Sequence, residues 1–216
     1  MLAGLSPARS GGRSPRGAGR AGHRHRGRRG GRARRDHRVA APSLGRSATD
    51  LVVHSWSGGE LPPRQEGNLV AAVKAGTGFA GWRGGVIGTN VRSAEYLRMV
   101  GSRSLWRGDG LQEFTVRIVA MPDRDGVITK GIEDYGVVTE HYWVLTGAHN
   151  SALAASVLVP ETADAWDVPV EFPVVWTRRW GVGRVFVCTL GHRVADLEVP
   201  QTATMVGRVL TWAART

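Results

Sequence analysis

From residue 50 onward, apolar positions fall into short continuous runs separated by stripes with helical spacing. The run at 50–56 (DLVVHSW) reads as a buried strand. Leu69, Val70, Ala72 and Val73 recur at helical intervals within 65–75, after Pro62 and Pro63 and before Gly76. Proline opens a helix and glycine closes one, so these residues predict a helix. The run at 78–82 (GFAGW) predicts the next strand, and Ser93 caps a helix through Tyr96, Leu97 and Val100. Clean alternation at 113–119 predicts a half-exposed strand, with further strands at 137–145 and 152–159. Residues 173–192 (PVVWTRRWGVGRVFVCTLGH) read as strand, glycine turn at Gly181 and Gly183, strand, and then a histidine. Met205, Val206, Val209, Leu210 and Ala213 stripe a last helix over 202–214. Strands alternating with crossover-length helices predict an α/β fold built on a mostly parallel open sheet with flanking helices.

In such a sheet the ligand crevice lies beyond the carboxyl ends of the strands. That rule brings together the loops at 55–60, 82–90 and 191–196. Trp82, Arg83, Gly84 and Gly85 follow an apolar strand, and the glycines let backbone approach a ligand closely. They are candidate substrate-binding residues. His192 lies just past a strand end, where an imidazole can act as acid, base or ligand near neutral pH. Adjacent strand residues point to opposite faces, so Glu140 and His141 cannot both enter one site. Glu140 and His192 are the candidate catalytic residues. His54 reads as a core or strand-end histidine. Most of Trp82, Trp106, Trp143, Trp176 and Trp180 are expected to fill the core. No Gly-x-Ser-x-Gly or Gly-x-Cys-x-Gly elbow is present, so the chain has no amidotransferase nucleophile. The spacing identifies no cofactor, and no Cys-x-x-Cys or His-x-x-x-His pattern names a metal. Cys188 reads as a buried structural thiol.

The formal charge of +11 suggests a nucleic-acid binder until its distribution is considered. Residues 1–47 hold 13 arginines and one acid, whereas 48–216 hold 16 basic and 17 acidic residues. The body is therefore a nearly neutral domain at 48–216, and the basicity belongs to the segment at 1–47. That segment contains 13 Arg, 10 Gly, 7 Ala and 3 Pro, too few large apolar side chains to offset chain entropy, and disorder is expected. These four residue types have codons built of G and C alone. The segment is therefore expected to arise from a shifted reading frame or a mis-assigned start. If it is genuine, it suits nucleic-acid phosphates. No apolar run has membrane-spanning length and no secretory apolar core opens the chain, so the expected compartment is the cytoplasm, with no membrane partner. Self-association into a homo-oligomer is compatible with the sequence.

Several blocks in order resemble the ThuA-like (trehalose-utilisation) family. They are 49–53 (TDLVV), Gly59-Glu60, 71–82 (AAVKAGTGFAGW), Glu95-Tyr96 with 99–101, 114–116, 128–131, Glu140 with Tyr142, and 173–192. The resemblance covers about 48–214. It implies a flavodoxin-like, class I glutamine amidotransferase-like fold and a role in trehalose or related disaccharide metabolism, with 3-keto-glycosides as the implied substrates. The ligand so implied is a sugar or sugar derivative. The family carries histidines where this chain has Arg83 and near Arg107. An arginine neither accepts a proton nor binds a metal at neutral pH, so impaired catalysis or a non-catalytic binding role is expected. The family also places a strand, a helix and a second strand before the 49–53 block, where the Arg/Gly segment stands here. The domain is accordingly expected to be N-terminally incomplete, and unstable or aggregating as written.

If the basic segment binds nucleic acid, affinity for single-stranded RNA will fall steeply between low and physiological salt and vanish on deletion of residues 1–47. Filter binding at a series of salt concentrations measures this, and salt-independent or deletion-insensitive binding contradicts it.

Overall fold

The computed structural model describes residues 49–215 apart from 108–109, 120–125 and 162–163, and apart from the side chains of 106 and 107. The segment at 1–47, expected to be disordered, lies outside the described residues. The element order is β1 (Leu51–His54), α1 (Pro63–Lys74), β2 (Gly78–Trp82), α2 (Gly85–Gly88), α3 (Ala94–Val100), β3 (Ser102–Arg107), β4 (Gln112–Ile118), α4 (Gly126–Thr129), β5 (Tyr135–Thr139), β6 (Tyr142–Thr146), β7 (Ser151–Leu158), β8 (Val170–Trp180), β9 (Gly183–Cys188), α5 (Val194–Glu198) and α6 (Pro200–Ala213).

Among these elements, one sheet runs β1-β2-β9-β8-β7-β4-β5, and β3 pairs with β6 in a second, two-stranded sheet. The α/β class agrees with the sequence reading, but the sheet is mixed where a mostly parallel one was expected. β1, β2 and β9 are mutually parallel, and pairing is antiparallel from β9 outward to β5. Connection length explains the difference. α1 carries the chain across from β1 to β2, as parallel pairing requires. β8 and β9 are joined through Gly181 and Val182, and Trp180 pairs with Gly183. A two-residue loop forces antiparallel pairing, and the positive φ of 60° at Gly181 suits such a turn.

β9 explains why its sequence is an unbroken apolar run. Val185 and Val187 face one side, with Phe79, Tyr96, Met99 and Trp176. Phe186 and Cys188 face the other, with Ala80, Val175, Met205 and Val209. Helices α1 and α3 cover the first face and α6 covers the second, which makes three layers. A strand sealed on both faces has no polar side to alternate with. Trp176 is fully buried, and its indole Nε1 donates to the Val100 carbonyl at 2.9 Å. Truncating such an aromatic to alanine costs about 3–5 kcal/mol. Of the expected core tryptophans, Trp82, Trp143 and Trp180 are half-buried, and the Trp106 side chain lies outside the described residues.

Helix starts follow the expected chemistry. Pro63 opens α1 without a side-chain cap. The Ser93 hydroxyl accepts from the Tyr96 amide at 3.1 Å and caps α3. The segment 137–145, read as one strand, is instead divided at Glu140 and His141 between β5 and β6 in different sheets. No helix of the described residues is long and apolar enough to cross a membrane.

Burial pushes the Cys188 thiol up to about 12, against a smaller opposing contribution from the Leu190 backbone. In native buffer at neutral pH, Cys188 will therefore resist a soluble thiol reagent and react fully only in denaturant. Rapid native labelling would show that the β9 layer is open.

Candidate functional site

The parallel strands β1, β2 and β9 lie side by side, so their carboxyl ends form one rim. Past those ends, the Arg83 amide donates to the Leu190 carbonyl at 2.8 Å and ties the β2 loop to the β9 loop. Gly191, at φ 98°, turns the chain so that His192 leaves the sheet, and a Cβ there would press on Leu197 at 2.8 Å. Trp82 lies beside Gly191, its Cδ1 3.5 Å from that Cβ position. The loop at 55–60 joins the same rim, because a Cβ on Gly85 would meet Trp56 and Ser57.

At this rim His192 Nδ1 stands 3.0 Å from Glu140 Oε2. The Tyr142 hydroxyl donates to the same carboxylate oxygen. Glu140 retains 6% side-chain exposure and His192 retains 30%, so the carboxylate is sealed while the ring reaches solvent. A buried carboxylate stays charged only when polar or cationic partners replace its water, and Tyr142 and His192 occupy that position. A Cβ on Gly84 would fall on the Tyr142 hydroxyl, so glycine is what lets the β2 loop close over this group. The candidates Trp82, Arg83, Gly84, Gly85, Glu140 and His192 thus converge on one rim. Arg107 is the register partner of Tyr142 across β3 and β6.

A second set of contacts fixes this geometry from below. Asp196 is buried, and its Oδ2 accepts from the Thr139 hydroxyl at 2.6 Å and from the Arg193 amide at 2.9 Å. The Arg193 guanidinium reaches Asp196 Oδ1 and donates to the Val138 carbonyl at 2.5 Å. Thr139 immediately precedes Glu140, and Arg193 immediately follows His192. One carboxylate therefore clasps the two backbone segments that carry the candidate pair. Burial raises the Asp196 carboxyl pKa, but hydrogen bonds from Thr139 and Arg193 and the guanidinium charge outweigh it. The net shift is downward.

Tyr142 was readable as a companion of Glu140 from the family resemblance, in which the two residues form one block. Asp196 was missed. Its available signal was local, an acid three residues into a helix after a polar residue, which resembles a capping box and reads as structure alone. The other histidines are held elsewhere. His54 packs among Phe79, Tyr96 and Trp56, and burial pushes its pKa down to about 4 against a smaller backbone contribution. His141 bonds Ser156 at 2.6 Å and stacks on Phe114 at 3.9 Å between centroids, and burial pushes it to about 4. Both are neutral at pH 7. His141 and Glu140 have different partners, although neither lies in a strand, because β5 ends at Thr139 and β6 begins at Tyr142. Among the described residues no group of three His, Cys, Asp or Glu could hold a metal ion.

Residues 42–213 match the ThuA family, described as trehalose utilisation. Among solved structures, the fold is similar to a ThuA-like protein from Parabacteroides merdae, with a TM-score of 0.58 and 18% identity over 76% of this chain and 70% of that one. It is also similar to a cytoplasmic protein from Salmonella typhimurium LT2, with a TM-score of 0.57 and 15% identity over 77% of this chain and 72% of that one. A β-galactosidase from Rahnella sp. R3 is similar at TM-score 0.51 and 15% identity, over 75% of this chain but 23% of the enzyme. At these identities the likeness to solved structures shows the fold. No curated protein matches the chain.

Asp196 has a lower pKa folded than unfolded, so its stabilisation is complete above the usual aspartate pKa near ~3.9 and is lost as pH falls through the lower folded value. Asp196→Asn will therefore be less stable than wild type at pH 7, and the gap will narrow on acidification. Urea melts at stepped pH measure this, and a gap independent of pH would show that the charge contributes nothing.

Proposed function

Because the chain belongs to the ThuA family of trehalose utilisation, we propose that its rim site binds a sugar derivative from trehalose or related disaccharide metabolism, a 3-keto-glycoside being the substrate class. The Tyr142–Glu140–His192 contact chain beside a glycine turn is the observation that carries this reading. Glu140 Oε2 lies 3.0 Å from His192 Nδ1, which leaves Nε2 as the nitrogen to give or take a proton at the substrate. A carboxylate behind an imidazole also stabilises the imidazolium formed when the ring takes that proton. Tyr142 donates to the carboxylate and fixes its orientation. On this reading Trp82 offers an aromatic face to a sugar ring, and the Gly84 and Gly85 amides donate to substrate oxygens. The cytoplasm, where the Salmonella neighbour is placed by its description, is the compartment we propose.

A second reading, a domain that binds sugar without turning it over, draws on Arg83. An arginine holds its proton throughout the physiological range, so this rim position supplies charge and no acid–base chemistry. In that case Glu140 and His192 serve as binding groups.

Replacing His192 with alanine distinguishes the two. On the catalytic reading, turnover of a 3-keto-glycoside falls by about 100-fold or more, while binding followed by calorimetric titration changes far less. Measurable wild-type binding with no turnover of any keto-glycoside tested would support the binding domain instead.

A further inference from the structure

Arg83 is held in a conformation that its side chain disfavours. Its φ is 71°, and among the described residues Asn90 is the other non-glycine with positive φ. Asparagine visits this region readily, whereas a long side chain there is strained. The surroundings enforce the strain. The Arg83 amide is committed to Leu190 at 2.8 Å, its carbonyl accepts from the Val86 amide at 3.1 Å, and Gly84 is wedged against Tyr142. Backbone strain of this kind gathers at ligand sites, and an observed outlier is a reason to look for a function.

The side chain gives a second, independent observation. Arg83 is half-buried, and no hydrogen bond or ion pair engages its guanidinium among the described residues. Every other half-buried arginine among the described residues donates to a protein acceptor. Arg178 bonds Asn150, Arg184 bonds Trp212, Arg208 bonds Ile128 and Lys130, and Arg215 bonds Thr49 and Thr77. The carboxylate that shares the rim, Glu140, is already engaged by Tyr142 and His192. A planar cation with five donors is thus positioned at a ligand rim with no protein anion assigned to it.

We infer that Arg83 makes this rim selective for carbohydrate bearing an anionic group, a carboxylate or a phosphate. The inference rests on the reading of the rim as a carbohydrate site. Guanidinium binds either anion through paired hydrogen bonds, and Trp82 beside it meets the apolar face of the ring.

Calorimetric titration with glucose, glucuronate and glucose 6-phosphate tests it on the full chain. At least one charged sugar is expected to bind about tenfold or more tighter than glucose, and the tighter of the two identifies the anion. Arg83→Gly suits the left-handed backbone and should fold at least as well. In that variant the advantage of charged sugars over glucose should disappear, and Arg83→Lys should restore part of it. Equal affinities for neutral and charged sugars, or an advantage that survives Arg83→Gly, would overturn the inference and leave the carbohydrate reading standing. Absence of binding by all three sugars would overturn the carbohydrate reading and the anion preference with it.

Discussion

The buried carboxylate of Glu140 constrains the site more than any other group. Taking a carboxylate out of water costs several kcal/mol unless partners replace the lost hydration. Among the described residues, the Tyr142 hydroxyl from β6 and the His192 ring from the loop after β9 stand at this carboxylate. One lies on a strand of the small sheet and the other just past the end of a strand of the large sheet, far apart in sequence, so their meeting at Glu140 requires both sheets to be correctly placed. The Asp196 clasp makes that placement rigid, because it binds the residue before Glu140 and the residue after His192. Two carboxylates thus have complementary tasks. Asp196 sets the backbone, and Glu140 sets the ring.

The remaining architecture supports this arrangement by keeping the strand ends fixed. β9 is covered on both faces, and its apolar side chains interlock with α1 and α3 above and α6 below. A strand so enclosed is held in register by the close packing of its side chains on both faces. Its carboxyl end therefore delivers Leu190, Gly191 and His192 to a fixed height beside the end of β2. The bond from the Arg83 amide to Leu190 then sets the glycine turn against that reference point.

The parts that were legible in the sequence are those that burial alone dictates. The apolar runs of β2 and β9, the stripe of α6 and the Ser93 cap each have a local cause, and each appears where the pattern placed it. The resemblance and the rule for strand ends together gathered Trp82 to Gly85, Glu140 and His192 at one rim. The division at Glu140 and His141 was not legible, because apolar runs lie on both sides of it and the two polar residues between them are buried. Only the competing pairings, β5 with β4 and β6 with β3, reveal the change of sheet. β3 escaped notice because SRSLWR has neither a β-branched run nor steady alternation. The sheet's mixed order depends on which hairpins close, and periodicity does not encode that.

The glycine turn shows how stability and recognition oppose each other within a few residues. Gly84 is required sterically, since any side chain would displace Tyr142 from Glu140. Arg83 stands next to it in a conformation where glycine would be the relaxed choice. A left-handed non-glycine residue costs on the order of 1–3 kcal/mol, a substantial share of the roughly 5–15 kcal/mol that keeps a domain folded. Nothing in the core needs an arginine at this position, because its side chain bonds no protein acceptor among the described residues. The strain is therefore offset elsewhere, by the doubly covered β9 and the Asp196 clasp. On the proposed reading of the rim, a side chain that strains the backbone and bonds no protein acceptor among the described residues has its physical justification in what it meets from solution.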